Sequence, residues 1–259
     1  MWQNPPDRLC KVRSFAFYRK LRMTIFICRN WTSMTGNRRS FKYAAFYDLD
    51  RTVLKDNSAT HLVHTARVQG IMSEKQFRNA VWLSILYKLR IGDSSKMIRR
   101  MLSWIRGRDE QKVNELCREI FESILVKDIR PLILETLTMH RKAGGSLVLL
   151  TSATENISRH VAEHLDLDGL ICTRLEVERG IFTGQVEGSP VYGLEKRKQM
   201  QDFCEHHGMD PSGAYYYGDS YSDRHVMEAV GHPVAVDPDR RLLRLAQDRQ
   251  WQILLRDRC

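Results

Sequence analysis

The stretch FYDLDRTVL, residues 46–54, joins a short apolar run to two carboxylates, Asp48 and Asp50. The aromatic and small apolar residues before Asp48 predict a buried strand over residues 43–47, in a parallel sheet that is covered on both faces. Because strand side chains alternate with period two, both carboxylates are expected to point the same way. They would lie at the carboxyl end of the strand, where open α/β sheets bind ligands. Two like charges this close require a cation, so the pair predicts a divalent metal ion.

Two later stretches carry groups that can bind a phosphate beside such a metal. The apolar run of residues 147–150 predicts a second buried strand, which ends on the hydroxyls of Thr151 and Ser152. Gly193 precedes a polar helix with Lys196 near its start, a compact positive charge suited to phosphate.

A third strand is predicted where three tyrosines precede a glycine, and it ends on Asp219, with Asp223 four residues later. In this order, the four stretches closely resemble the four motifs of the haloacid dehalogenase superfamily of phosphohydrolases. The resemblance extends over about residues 43–257, and its details are similar to the subfamily IB hydrolases, the relatives of phosphoserine phosphatase. It implies an α/β fold: a three-layer Rossmann-like core with a mainly parallel sheet and an inserted helical cap.

The resemblance also implies a phosphatase that works through an aspartyl-phosphate. Asp48 would be the nucleophile, and Asp50 would be the general acid and then the general base. Ser152 and Lys196 would bind the phosphate. Thr151 is the alternative hydroxyl donor, and we favour Ser152 because the small residues that follow it match the family pattern.

The family's cofactor is Mg²⁺, which prefers octahedral oxygen coordination. The resemblance implies that Asp48, the backbone carbonyl of Asp50 and Asp219 hold the ion. Asp223, one helical turn later, is better placed to hold a metal-bound water or Lys196.

The region between the first two predicted strands has helical periodicity. Residues 58–129 are expected to form the helical cap, and residues 43–57 and 130–259 the α/β core. Ser73 and Gln76 predict a capping box at the start of one cap helix. A cap can exclude water and contact the part of the substrate that is not phosphate.

Further elements are predicted after the cap. A helix over residues 130–141 is expected to end at Gly144 in a left-handed cap. Residues 170–177 and 181–186 predict two strands that flank a hairpin-like turn.

Two positions depart from the family pattern. Phosphoserine phosphatases have a glutamate shortly after the first motif that helps to hold the substrate's amino group, and Asn57 stands at the matching position. A neutral amide cannot supply that charge, which argues against phosphoserine as the substrate. Arg51 stands where glycine is common, and it either projects into solvent or adds positive charge at the mouth of the pocket.

The net charge of +10 is concentrated in residues 1–42, which hold ten basic residues and one acidic residue. Residues 43–259 are therefore almost neutral, and no nucleic-acid partner is expected. We interpret residues 1–42 as a basic, disordered leader or as sequence upstream of a later start. A membrane-surface arm and an organelle-targeting peptide are the alternatives.

The six cysteines form no Cys-x-x-Cys pair, which argues against a zinc site and against a disulfide framework. This use of cysteine indicates a reducing compartment, and we predict a cytoplasmic protein. No stretch reaches the roughly 18 apolar residues of a membrane-spanning helix.

The leading functional hypothesis is a phosphomonoesterase that acts on a small phosphorylated metabolite. A phosphotransferase that uses an alcohol as acceptor is one alternative. A membrane- or nucleic-acid-associated binding protein that uses the basic leader is another.

Overall fold

The structure, a computed structural model, describes residues 41–89 and 94–255. Its strands are β1 (Ala44–Tyr47), β2 (Ser146–Thr154), β3 (Gly169–Thr173), β4 (Leu175–Glu178), β5 (Ile181–Val186), β6 (Tyr215–Gly218), β7 (His232–Val236) and β8 (Gln252–Leu254). Six of them form one sheet in the order β3-β2-β1-β6-β7-β8, and every neighbouring pair is parallel. The predicted parallel α/β sheet is confirmed.

Helices surround this sheet and fill the long connection between its first two strands. They are α1 (Ser58–Val68), α2 (Glu74–Leu89), α3 (Ser94–Leu102), α4 (Glu110–Ile120), α5 (Val126–Asp128), α6 (Pro131–Ala143), α7 (Glu155–His164), α8 (Leu194–His206), α9 (Arg224–Met227) and α10 (Arg240–Asp248). The helices α1 to α6 lie between β1 and β2 along the chain, and we call the segment from α1 to α5 the helical insert.

The alternation of side chains along the strands divides the apolar core between two faces of the sheet. In β1, Ala45 and Tyr47 join a cluster with apolar side chains of α6, α7 and the insert. Ala44 and Phe46 join a second cluster with side chains of α8, α9 and α10. The sheet is therefore the middle of three layers, as expected from the sequence.

The hairpin of β4 and β5 belongs to the insert side of the molecule. The two strands pair with each other in an antiparallel sheet of their own. The backbone of Phe182 in β5 accepts from Gly107 N–H at 2.8 Å and donates to Arg108 carbonyl oxygen at 2.9 Å. The prediction of one strand over residues 170–177 is wrong, because the chain leaves the main sheet at Arg174 and starts a strand of this second sheet.

Several local predictions are confirmed. Ser73 N–H donates to Gln76 Oε1 at 2.9 Å and Gln76 N–H donates to Ser73 Oγ at 3.3 Å, which completes the capping box. Helix α6 ends at Gly144 with φ of 82°, the left-handed conformation that glycine adopts without steric cost.

The two chain segments that join the insert to the sheet run side by side. Leu54 forms an antiparallel bridge with Ile129, and Arg130 N–H donates to Val53 carbonyl oxygen at 2.9 Å. We propose that the boundary between cap and core lies at this paired crossing, next to the expected limits of residues 58–129.

The predicted leader, residues 1–42, lies outside the described residues except for its last two positions. Within the described ranges, no helix combines the length and the apolar character needed to cross a bilayer. The cytoplasmic location stays a prediction.

Candidate active site

A wide turn carries the chain away from the carboxyl end of β1. Leu54 N–H donates to Leu49 carbonyl oxygen at 2.9 Å, and Val53 N–H donates to Asp48 carbonyl oxygen at 3.3 Å. Inside the turn, Arg51 adopts a φ of 62°, which is uncommon for a residue with a side chain. The turn holds Asp48 and Asp50 at the end of the strand, as the sequence predicts.

Neighbouring strands bring the acidic residues together. Asp48 N–H donates to Tyr217 carbonyl oxygen at 2.9 Å, so the pairing of β1 with β6 extends to the first carboxylate. Asp219 directly follows β6, and Asp223 closes the short helical turn after it. One carboxylate oxygen from each of Asp48, Asp219 and Asp223 lies within 4.8 Å of the other two. The side chains expected to converge from the first and fourth motifs do so.

Lys196 connects the two ends of this acidic group. Its Nζ donates to Asp48 Oδ1 at 2.7 Å, to Asp223 Oδ1 at 2.9 Å and to Tyr216 hydroxyl oxygen at 3.0 Å. The side chain is only 2% exposed, because α8 packs on the sheet through residues such as Phe203. Three acceptors match the three protons of an ammonium group, so its position is well defined.

The electrostatic balance of the site favours an additional cation. Burial raises the pKa of Asp48 to about 7, against the opposing effect of Lys196. Burial, Asp48 and Asp223 hold the pKa of Asp219 well above its ordinary value. Burial lowers the pKa of Lys196, but the carboxylates of Asp223 and Asp48 outweigh it and raise that pKa. One ammonium therefore faces three buried carboxyl groups, and a divalent cation would stabilise their ionised forms.

The donor set also fits a hard divalent cation. Asp223 Oδ2 is buried and has no hydrogen-bond partner among the described residues, although its other oxygen binds Lys196. An unsatisfied buried carboxylate oxygen is costly, and a metal ion or its water would satisfy it. Asp223 thus contacts Lys196, as expected, and also belongs to the oxygen cluster with Asp48 and Asp219.

Asp50 has a separate environment at the start of α1. Its Oδ1 accepts from Ser58 N–H at 2.7 Å, and its Oδ2 accepts from Asn57 Nδ2 at 3.1 Å. Asn57 Oδ1 also accepts from Thr60 N–H at 3.2 Å and so caps the helix. Burial raises the pKa of Asp50, and the hydrogen bond from Ser58 opposes that change. The start of α1 therefore holds the carboxylate of Asp50. A metal-binding role for Asp50 consequently depends on its backbone carbonyl.

The two candidate hydroxyls at the end of β2 differ in their surroundings. Thr151 is 1% exposed, and its Oγ1 accepts from Ala153 N–H at 3.1 Å, near the end of the same strand. Ser152 is half-buried and therefore more accessible than Thr151, and it lies in the stretch between Leu150 and Thr154 where the pairing of β2 with β3 shifts in register. These surroundings favour Ser152, and its role as phosphate ligand stays a prediction.

Sequence reasoning missed the contacts by which three side chains support the site. Tyr216 binds Lys196, and Asn57 binds Asp50. The buried guanidinium of Arg130 donates through Nη2 to Arg51 carbonyl oxygen at 3.0 Å. Strand alternation could have identified Tyr216, since the middle of three consecutive tyrosines must face the opposite side of the sheet. The contacts of the other two depend on the tertiary fold.

With this geometry established, comparison with known proteins identifies the family. The model of the haloacid dehalogenase-like hydrolases matches residues 45–228. The chain belongs to this family. As a member, the hydrolase has curated relatives that are named phosphatases, and the predictions of the family and of a phosphatase enzyme are confirmed.

Three curated relatives illustrate the range of the similarity. The hydrolase is 28% identical over 81% of its chain to phosphoserine phosphatase SerB1 of Mycobacterium tuberculosis, covering 70% of that protein. It is 30% identical over 82% of its chain to the inhibition of morphological differentiation protein of Streptomyces azureus, covering 77% of that protein. It is 24% identical over 82% of its chain to a histidinol-phosphatase of Neisseria meningitidis, covering 98% of that protein.

Solved structures share the fold. A Bordetella pertussis protein of unknown function superposes with a TM-score of 0.76 at 22% identity, over 83% of this chain and 98% of the other. The phospho-aspartyl intermediate analogue of a phosphoserine phosphatase superposes with a TM-score of 0.63 at 17% identity, over 83% of this chain and 93% of the other. The predicted likeness to the phosphoserine phosphatase fold is confirmed.

Proposed function

We propose that this hydrolase is a Mg²⁺-dependent phosphomonoesterase that acts on a small phosphorylated metabolite through an aspartyl-phosphate on Asp48. The observation that carries the proposal is the network of Lys196, which binds Asp48 and Asp223 at once, while Asp223 Oδ2 has no partner among the residues that the structure describes. The names phosphoserine phosphatase and histidinol-phosphatase among the relatives support a small phosphomonoester as substrate.

In the first step, a carboxylate oxygen of Asp48 attacks phosphorus and the bond to the leaving oxygen breaks. Lys196, 2.7 Å from Asp48 Oδ1, orients the nucleophile and offsets charge on the phosphoryl oxygens. Ser152 would donate a further hydrogen bond to those oxygens. Such positioned charges supply most of the rate enhancement in phosphoryl transfer.

Asp50 would give its proton to the leaving alcohol oxygen. The raised pKa of its buried carboxyl makes the protonated form more populated near neutrality. In the second step, the same group, now ionised, accepts a proton from the water that attacks the phosphorus of the aspartyl-phosphate. Hydrogen bonds from Asn57 and Ser58 hold the carboxylate in place for both transfers.

Asp48, Asp219 and the backbone carbonyl of Asp50 would hold Mg²⁺, with Asp223 close enough to join through a water or directly. When bound, the cation neutralises negative charge on the transferring phosphoryl group.

The test is phosphate release from an aryl phosphate and from a panel of phosphorylated metabolites, with Mg²⁺ or with a chelator. We expect Mg²⁺-dependent turnover that Asp48→Asn lowers by roughly 10³-fold or more, because the nucleophile is lost. Asp202→Asn, on the exposed side of α8, is the matched control and should retain activity. Turnover that persists in Asp48→Asn would refute the proposal.

The covalent intermediate has its own test. Asp50→Asn removes the base of the second step, so an aryl phosphate with a good leaving group should leave a phosphoryl group on the enzyme. Intact-protein mass spectrometry after acid quench would detect this addition, and peptide mapping should locate it at Asp48. A phosphorylated peptide that excludes Asp48 would contradict the mechanism.

A further inference from the structure

We propose that Arg51 binds a second anionic group of the substrate, so that the site prefers phosphomonoesters whose alcohol portion carries a carboxylate or a further phosphate. The inference rests on the proposed phosphatase function and specifies the charge of the alcohol portion of the substrate. Arg51 would thus be a specificity-determining residue.

The backbone fixes Arg51 in the turn that also carries Asp50. Its φ of 62° is an unfavourable conformation for a residue with a side chain, which persists only where surrounding contacts hold it. Its N–H donates to Asp56 carbonyl oxygen at 3.3 Å, and its carbonyl oxygen accepts from Arg130 at 3.0 Å. Arg130 is 6% exposed and pairs with Asp237 at 3.3 Å, so this anchor is itself fixed. The turn therefore presents the Arg51 side chain from a rigid base.

The side chain is exposed and directly follows Asp50. The exposed guanidinium thus belongs to the same turn as Asp48 and Asp50, at the carboxyl end of β1. Within residues 41–89 and 94–255, no carboxylate forms an ion pair with it. The guanidinium group is always charged and presents several N–H donors in one plane, which suits a carboxylate or a phosphate.

The remaining charges of the site argue against a cationic leaving group. Asp48 and Asp223 bind Lys196, and Asp50 accepts from Asn57 and from the start of α1. Asn57 itself is neutral, and both ends of its amide are occupied. Within residues 41–58, the exposed Arg51 guanidinium directly follows Asp50 and forms no ion pair, and its charge favours a negative group on the substrate.

The test compares kcat/KM for three substrates of similar size: glycerol 1-phosphate, 3-phosphoglycerate and a glycerol bisphosphate. We expect the wild type to prefer the two that carry a second anion. In Arg51→Gly and Arg51→Gln, this preference should fall by roughly 3- to 10-fold, the loss of one exposed charge-assisted contact. Arg51→Lys should retain part of it, and added salt should weaken it in the wild type. The two anionic substrates separate carboxylate from phosphate recognition.

Arg179→Gly is the matched control, because Arg179 is also exposed and also has a positive φ, 50°, in the turn between β4 and β5. It should keep the wild-type preference. Equal kcat/KM values for all three substrates, or an equal loss on all three in both Arg51 variants, would overturn the inference and leave the phosphatase intact. Absence of Asp48-dependent turnover on any substrate would remove the proposed function and this inference together.

Discussion

The two faces of strands β1 and β6 each carry a buried polar cluster, and the clusters differ in charge. On the face toward α8, Lys196 donates to Asp48, Asp223 and Tyr216, and we call these four residues the charged cluster. The carboxylates of Asp223 and Asp48 outweigh burial and raise the pKa of Lys196, so the ammonium keeps its charge. Among the described residues, Asp223 Oδ2 nevertheless has no hydrogen-bond partner.

On the face toward α6, His140 joins two tyrosines in what we call the neutral cluster. His140 Nδ1 lies 2.8 Å from the Tyr43 hydroxyl, and Nε2 lies 2.8 Å from the Tyr217 hydroxyl. Burial, together with His232, lowers the pKa of His140 to about 4, so the ring is uncharged at neutral pH. One ring nitrogen then donates and the other accepts, which satisfies both.

The comparison shows two uses of buried polarity on the same pair of strands. The neutral cluster satisfies both nitrogens of its histidine internally, and a satisfied network of this kind contributes rigidity. The charged cluster retains an unsatisfied oxygen and excess negative charge, which are what a cation and a phosphoryl group would use. Variants of each cluster should therefore separate stability from catalysis.

The largest effect is expected for Lys196→Met. The change removes three hydrogen bonds and leaves Asp48 and Asp223 without their counter-charge, which costs about 3–5 kcal/mol for a buried pair. Phosphatase activity should fall as well, since the phosphate loses its cation. Urea unfolding in the presence of a chelator measures the first effect, and initial rates measure the second.

Lys198→Met, on the exposed side of the same helix, is the control for Lys196→Met and should lie within about 0.5 kcal/mol of wild type. If the two variants unfold alike, the compensation ascribed to the charged cluster is wrong.

A smaller effect, on stability alone, is expected for His140→Leu. The hydroxyls of Tyr43 and Tyr217 lose their partner, at a cost of about 1–3 kcal/mol. Activity per folded molecule should be retained below the unfolding temperature. His64→Leu, an exposed change on α1, is the control. A loss of activity without a loss of stability would show that the neutral cluster takes part in catalysis.

The last prediction concerns the pH dependence that His140 contributes to stability. Its pKa is lowered from 6.5 to about 4, so the unfolded chain binds the proton more tightly than the folded protein does. This contribution to stability is fully present above pH 6.5 and declines as the pH falls toward 4, by at most about 1.4 kcal/mol per pH unit. The difference between wild type and His140→Leu in urea unfolding should therefore shrink over that window. A difference that stays constant would contradict the neutral state of His140.

Much of the site could be predicted because its residues follow strand ends. Apolar runs that stop before Asp48 and Asp219 indicate where β1 and β6 end, and parallel strands place their carboxyl ends at one edge. Ser152 lies near the end of β2, which continues to Thr154. The period of two also explains why Tyr216 faces α8 while Tyr217 faces α6. Local rules of this kind act over a few residues and can be read from a single sequence.

Contacts between distant segments could not be predicted in this way. The bond from Asn57 to Asp50, the support of Arg51 by Arg130 and the association of the β4–β5 hairpin with the insert depend on how separate elements pack. The break of the strand at Arg174 is of the same kind, since residues 170–177 are uniformly strand-like but pair with two different sheets.

The sequence by itself determined the parallel sheet, the order of the motifs and the chemical type of each site residue, because side-chain period and strand-end position are local properties. The tertiary structure alone decided which oxygen of Asp223 binds Lys196 and which has no partner in the part of the chain that the structure describes. It also decided the two environments that keep Lys196 charged and His140 neutral. The physical reason is that desolvation and pairing depend on every group packed around a side chain, and packing brings those groups from all parts of the chain.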